Sequence, residues 1–242
     1  MYKHIKTYAI RYTDVDFKDE LKLSALLSVL EESACLSADE LGFGYADITP
    51  RGIGFILANW YLEISRPIKL NEQLTVHTWP MKPQNTIFLR EFEVYSGEEK
   101  VCSGTTRWCM VDLKTFSVLP TSVFFNGDAR EYNDFRAIDY NTWRMLPLKD
   151  GEKKYEKTIS VSDYDHYFHM NNTRYADVCL DAFSVGELTR RSIANVQITY
   201  VKQCKCGEKL EIFRKDDGDT SFLEGRVEGE TRVRVRVKFR NL

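Results

Sequence analysis

Between Ser162 and Tyr175 the chain gathers two carboxylates, two of its four histidines and two asparagines: Asp163, Asp165, His166, His169, Asn171 and Asn172. Carboxylate and imidazole hold and deprotonate water near neutral pH, and an asparagine amide can donate to a developing negative charge. The polar run passes directly into an amphipathic segment, Tyr175 to Phe183. It therefore reads as a loop feeding a helix over 175–188, with Asn171 or Asn172 as N-cap. The first N–H groups of such a helix have no intrahelical partner, which adds an anion site to the acids and imidazoles. A capped helix with solvated His and Asp would use the same residues, so the rest of the chain has to decide.

Residues 2–12 alternate as a strand. Apolar residues at 23, 26, 27, 30, 34, 38 and 41 give helical spacing over Leu21 to Leu41, and Gly42 and Gly44 close it. Strands follow over Ile53 to Ser65, Glu72 to Trp79, Thr86 to Tyr95 and Val101 to Val111, with a hairpin turn at Ser96-Gly97-Glu98. Residues 113–150, with Pro120, Gly127 and Pro147 among Asp, Asn and Arg, read as a linker with little regular structure. The pattern then restarts: a strand over Lys153 to Val161, the Asp/His loop and its helix, and strands over Ile193 to Lys202, Lys209 to Arg214, Thr220 to Glu228 and Thr231 to Arg240.

The two halves match. Thr13-Asp14-Val15-Asp16 aligns with Ser162-Asp163-Tyr164-Asp165, and Leu62 to Val76 aligns with Ile198 to Ile212, so Pro67 falls on Gln203. Only the second copy carries histidines; the first has Phe17 and Glu20 in place of His166 and His169. A duplicated unit armed in one copy favours a site over a plain cap. Each half is expected to be α+β, a long helix burying its apolar stripe on an antiparallel sheet. The expected division is 1–112, a linker over 113–150, and 151–242.

The totals exclude several classes. Hydrophobic content of 43% and charged content of 29% over 242 residues are ordinary for a globular chain with a full core. A net charge of -2 gives no basic field for nucleic acid. No long uncharged apolar run implies a membrane span, and the N-terminus reads as a strand, so a cytoplasmic location is expected. Six scattered cysteines read as free thiols, and Cys204-Lys205-Cys206 has the wrong spacing for zinc. With no phosphate-binding glycine loop, neither metal nor cofactor is expected.

These residues resemble the acyl-ACP thioesterase family, which has a double hot-dog fold. The resemblance rests on Tyr12-Thr13-Asp14, Glu31-Glu32-Ser33-Ala34, Trp60 to Pro67 and Val76-His77-Thr78-Trp79 in the first half. In the second it rests on the Asp163-x-Asp165-x-x-x-His169-x-Asn171-Asn172-x-x-Tyr175 run and on Tyr200 to Cys204. It implies hydrolysis of fatty acyl thioesters on acyl carrier protein. It also implies a site of Asp165, His169 and Cys204; apart from the resemblance, Asn171 or Asn172 at the helix start is expected to help bind the substrate carbonyl. Tyr167 stands where the family has Asn, and Gln203 where it has Glu on the next strand; a Gln cannot act as base. By the same resemblance the acyl tail would lie in the first half, along the 23–41 helix and the strand from Ile53, lined by Leu30, Phe55, Leu57 and Trp60. A homodimer is compatible with such a fold.

The chemistry expected is water held and activated by Asp165 and His169, with Gln203 orienting it and the carbonyl oxygen bound at the helix start. Cys204 reads as a nucleophile paired with His169 or, preferred, as a small residue lining the pocket. Arg232, Arg234, Arg236, Lys238 and Arg240 alternate along the last strand and share one sheet face. That face is either a dock for acidic carrier protein or, preferred, a solvated guard against edge pairing. Alternatives to the carrier-protein reading are an acyl-CoA thioesterase, a hot-dog dehydratase, and an acyl-chain binder without turnover.

Overall fold

In the computed structural model, residues 2–125 and 132–241 are described. The first half contains β1 (His4–Ala9), α1 (Leu23–Glu40), the single turn α2 (Tyr45–Ile48), β2 (Ile53–Ile64), β3 (Gln73–Pro80), β4 (Ile87–Ser96) and β5 (Glu99–Asp112). Between the halves lie β6 (Val118–Leu119) and α3 (Ser122–Phe125). The second half contains β7 (Glu152–Thr158), α4 (Arg174–Leu180), α5 (Val185–Thr189), β8 (Arg191–Tyr200), β9 (Lys209–Asp217), β10 (Thr220–Val227) and β11 (Glu230–Asn241).

The strands form one antiparallel sheet in the order β1-β3-β4-β5-β2-β8-β11-β10-β9-β7, with β6 on β5. The order is the same from either end toward the centre, as the internal repeat requires. The halves join where β2 pairs with β8, Trp60 opposite Ile198 and Leu62 opposite Val196. α1 buries Leu23, Leu26, Leu27, Leu30 and Ala34, the stripe its spacing predicts. These pack with Leu57, Trp60, Val178, Ile198 and Val237 in a core that runs through both halves. A register shift between Leu57 and Asn59 puts a bulge in β2. It lets Leu57 and Trp60, three residues apart, face the same core.

Two expectations are corrected. The second helix does not run over 175–188: α4 ends at Leu180 and α5 begins at Val185. Ser184 caps α5, accepting from Glu187 N–H at 3.2 Å while the Glu187 carboxylate takes the Ser184 N–H at 2.7 Å. That capping box starts a new helix. Second, the N-cap of α4 is Thr173, not Asn171 or Asn172.

Within 113–150 the described residues carry only β6 and α3 as regular elements. Residues 132–150 strap the polar face of the sheet. Arg136 Nε and the Ala137 N–H bind the buried Glu91 carboxylate at 2.8 and 2.9 Å. Tyr140 stacks on Tyr61 with ring centroids 3.5 Å apart. Gln197 Nε2 donates to the Trp143 carbonyl at 3.0 Å. The Leu148 N–H donates to the buried Glu224 at 2.9 Å. A buried carboxylate is tolerated only when its lone pairs are filled, and the strap fills them.

Of the basic stripe on β11, Arg234 lies under this strap, and Arg232, Arg234, Lys238 and Arg240 pair within the chain. Arg234 binds Glu224 at 2.9 Å and the Met145 carbonyl at 3.2 Å. Arg232 pairs with Glu230 and Glu208, Lys238 with Asp219, and Arg240 with the Ile64 and Ser65 carbonyls. Arg232 is buried in its pairs, whereas Lys238, 48% exposed beside Asp219, stays solvated as a guard residue would.

Candidate active site

The duplicated loop repeats down to single hydrogen bonds. In the first copy Asp16 N–H donates to the Glu20 carbonyl at 2.8 Å and Lys22 N–H to the Asp14 carbonyl at 2.9 Å. In the second, Asp165 N–H donates to the His169 carbonyl at 3.1 Å and Asn171 N–H to the Asp163 carbonyl at 2.8 Å. Each loop turns through a residue with positive φ, Asp19 at 56° and Phe168 at 60°. Both tips are held by the carboxylate two residues upstream of position 18 or 167: Lys18 N–H to Asp16 Oδ1 at 2.8 Å, and Tyr167 N–H to Asp165 Oδ1 at 2.9 Å. The repeated turn thus delivers a side chain at position 20 or 169 to equivalent places.

The copies differ in chemistry. Glu20 is buried and saturated by Lys18 at 2.8 Å, Lys69 at 3.1 Å and Ser192 at 2.8 Å. His169 has room. Its Nδ1 faces the Met170 carbonyl at 3.1 Å and Asp165 Oδ2 at 3.7 Å. A carbonyl only accepts, so Nδ1 carries the proton and the Nε2 lone pair is left open. Asn171 Oδ1 accepts from the Thr173 N–H at 2.9 Å and hydroxyl at 2.7 Å. That fixes the amide and turns Nδ2 toward Asp165 Oδ2, 3.5 Å away. The same contacts use up donors at the helix start, since Arg174 N–H also binds the Asn171 carbonyl at 3.1 Å. The Thr173 and Arg174 N–H groups at the start of the seven-residue α4 are thus engaged by Asn171.

The other candidate residues divide. Cys204 is buried, and burial pushes its thiol up from the ordinary cysteine value. Its carbonyl accepts from Met170 N–H at 3.1 Å, just as that of Ile68 accepts from Leu21 N–H at 2.7 Å. Cys204 thus occupies the position of a core isoleucine. Gln203 lies beyond the end of β8, not on it, and is exposed. Asn172 carries the Tyr200 hydroxyl on its carbonyl at 2.9 Å.

Tyr167 stacks over His169 with centroids 6.0 Å apart and meets the edge of Tyr45 at 5.8 Å. Burial of its hydroxyl, near Cys35, Tyr45 and Asp165, pushes it up to about 12. From Tyr45 the chain leads to an aromatic group in the first half, where Phe55 meets Phe43 at 6.3 Å and Phe88 at 5.0 Å. Leu30, Leu57 and Trp60 instead belong to the tight central core, Trp60 with no exposed surface.

A cleft of about 360 Å³ opens between α1 and the loop, lined by Glu31, Cys35, Tyr164, Asn171 and Thr173 among others. Glu31, which sequence reasoning used only as part of a resemblance, faces this site from the other half. Burial, and then the Asp165 charge, push its carboxyl up to about 7. The signal was in the sequence: position 31 sits on the helix face of Leu27 and Ala34, so a carboxylate there adjoins the core stripe. A second cavity of about 380 Å³, mainly apolar, adjoins the unarmed loop and is lined by Leu21, Leu26, Leu180, Phe183 and Leu188. Among the described residues no group of three His, Cys, Asp or Glu is placed to hold a metal, and no helix is long and apolar enough to cross a membrane.

Residues 1–120 match the family model of the acyl-ACP thioesterase N-terminal domain, and residues 148–241 that of the C-terminal domain. Among solved structures the chain resembles an acyl-ACP thioesterase from Bacteroides thetaiotaomicron (21% identity, 98% of each chain, TM-score 0.88). It also resembles a putative oleoyl thioesterase from Lactobacillus plantarum (18% identity, 100% of this chain and 97% of that, TM-score 0.88). A third is the 12:0-ACP thioesterase from Umbellularia californica (17% identity, 99% and 98%, TM-score 0.87). At these identities the likeness speaks for the double hot-dog fold. No curated protein matches in sequence. The two domain models, which between them take in nearly the whole chain, carry the assignment: this chain belongs to the acyl-ACP thioesterase family and is a thioester hydrolase.

Proposed function

We propose that the chain releases free fatty acid from acyl carrier protein with water activated at the Asp165–His169 pair. The observation that carries this is the second loop itself, which holds an imidazole with its Nδ1 proton committed and Nε2 open beside a carboxylate and an oriented amide. Water bound at Nε2 loses a proton to it while its oxygen attacks the thioester carbonyl. Asp165 stabilises the imidazolium that forms. The second N–H of Asn171 Nδ2 is a donor for the carbonyl oxygen, whose charge grows as the tetrahedral intermediate forms. Collapse breaks the C–S bond; sulfur leaves readily because a thiol has a pKa of roughly 8.5.

In this reading the acyl tail runs past Tyr45 into the aromatic group of Phe43, Phe55 and Phe88. Leu57 and Trp60 form the wall behind it. Gln203, exposed and off the strand, has no step. Cys204 supports the loop through its carbonyl and does not attack.

The test is release of free thiol and fatty acid from a length series of acyl carrier proteins beside the matching acyl-CoA series. Faster turnover of the carrier-protein series supports the proposal. Equal or faster turnover of acyl-CoA moves the substrate assignment to coenzyme A.

A further inference from the structure

We propose that Glu31, contributed by α1 of the first half, is the general acid that protonates the departing sulfur. The inference rests on the proposed hydrolysis at Asp165 and His169 and extends it across the boundary between the halves.

Glu31 lines the same cleft as Tyr164 and Asn171, which flank the Asp165 loop. Its counterpart in the duplicated half is Leu180, so the carboxylate belongs to one copy only, the one close enough to feel the Asp165 charge. Among the described residues no cation pairs with it and none donates a hydrogen bond to it, unlike Glu20, Glu91 and Glu224. The ionisable groups that face it are Glu32 and Cys35 on its own helix, Asp163, Tyr164, Asp165, Tyr167 and Arg174 from the loop and α4, and Tyr200 from β8. The set is mainly acidic or neutral, with Arg174 its one cation. A carboxyl so placed keeps its proton near neutral pH, while His169 needs to have lost one. A protonated carboxyl and a neutral imidazole can serve as acid and base for one reaction.

The resemblance would place a carboxylate at position 203, where this chain carries an exposed Gln. Glu31 supplies a carboxyl from α1.

The step balances. Water gives one proton to His169 Nε2 as its oxygen bonds to the acyl carbon. The tetrahedral intermediate collapses, the C–S bond breaks, and the Glu31 proton goes to sulfur, giving a neutral thiol. His169 returns its proton to Glu31 through solvent, and the carboxylic acid product ionises. Protonation matters here because a thiolate expelled into a cleft beside Asp165 is less stable than one in water.

The experiment measures kcat/KM of wild type and Glu31→Gln against pH. The substrates are one acyl chain carried on pantetheine, with an alkyl thiol leaving group, and on an acidic aryl thiol. We expect the wild type to lose activity with alkyl thioester as pH rises through about 7. Glu31→Gln should be about 10- to 100-fold slower on that substrate, with the alkaline fall removed. On the aryl thioester, which needs no proton to leave, the two should agree within a few fold. An unchanged rate and profile in Glu31→Gln would overturn the inference, as would an equal loss on both substrates. Absence of turnover by wild type on either substrate would overturn the underlying hydrolytic reading, a separate result. Folding is checked by the urea midpoint, which in Glu31→Gln should be no lower than wild type above pH 7, since burial there opposes the charged form.

Discussion

The carboxylate of Asp165 stands 3.7 Å from His169 Nδ1, on the side of the ring where the Met170 carbonyl already holds the proton. The loop therefore sets a tautomer before substrate arrives. The equivalent pair in the first half, Asp16 and Glu20, is locked by two lysines and has no such freedom. Duplication kept the turn; at position 20 the side chain is held by Lys18, Lys69 and Ser192, whereas at position 169 it is an imidazole beside Asp165.

Asn171 does two jobs. Replacing it with Ala removes the acceptor for Thr173 N–H and the donor near Asp165. Loss of about 1 kcal/mol of stability is expected from the turn, and about 10²-fold in kcat from the oxyanion contact. Asn171→Asp should keep the acceptor for Thr173 but lose the N–H and set a second carboxylate against Asp165, so its rate should fall at least as far as that of the Ala variant. Urea melts and thiol-release kinetics on both variants separate the roles; an Asp variant with wild-type kcat would remove the donor assignment.

Cys204 and Gln203 should prove tolerant. Cys204→Ala is expected to keep kcat within a few fold, and iodoacetamide should label the buried thiol slowly in the folded protein. Gln203→Ala should be silent in rate because the side chain is exposed. A drop of 10²-fold or more in either would restore it to the mechanism.

Phe55 and Trp60 lie on one strand but should respond differently. Phe55→Ala opens the aromatic group and should shift preference toward longer acyl chains. Trp60→Ala empties a fully buried site and should cost about 3–5 kcal/mol with little change in length preference. Turnover over a length series, with thermal melts, checks both.

The internal repeat was legible because it recurs at single positions. Aligning Pro67 with Gln203 sets Ile68 on Cys204, and those two carbonyls do make the same bond to the loop. The α1 stripe was legible from its period. Less legible were features fixed by contacts distant in sequence. The strap over 132–150 is held by Gln197, Glu224 and Arg234, and nothing local announces it. The break before α5 did carry a local signal, Ser184 with Glu187 three residues on, but the apolar period runs through it and masked it. Glu31 reads as one more helical glutamate until the halves are brought together.

The Arg214–Glu187 pair gives an acid-sensitive contribution. Arg214 donates to Glu187 at 2.5 Å, and that bond holds its carboxyl down to about 2. An unfolded glutamate titrates near roughly 4.3, so the stabilisation is present above that pH and is lost as pH falls toward the folded value. The Glu187 side chain is 35% exposed, so after solvent screening the pair is worth on the order of 1 kcal/mol. Glu187→Gln should lower the urea midpoint at pH 7 and match wild type near pH 2. A constant gap at both pH values would contradict the linkage.

The central claim is tested most directly by single-turnover thiol release from acylated carrier protein with wild type, Asp165→Ala and His169→Ala side by side. The account predicts release by wild type and a loss of about 10²- to 10⁴-fold in each variant, with unfolding midpoints close to wild type. Wild-type rates in both variants would contradict it and move the base elsewhere in the cleft.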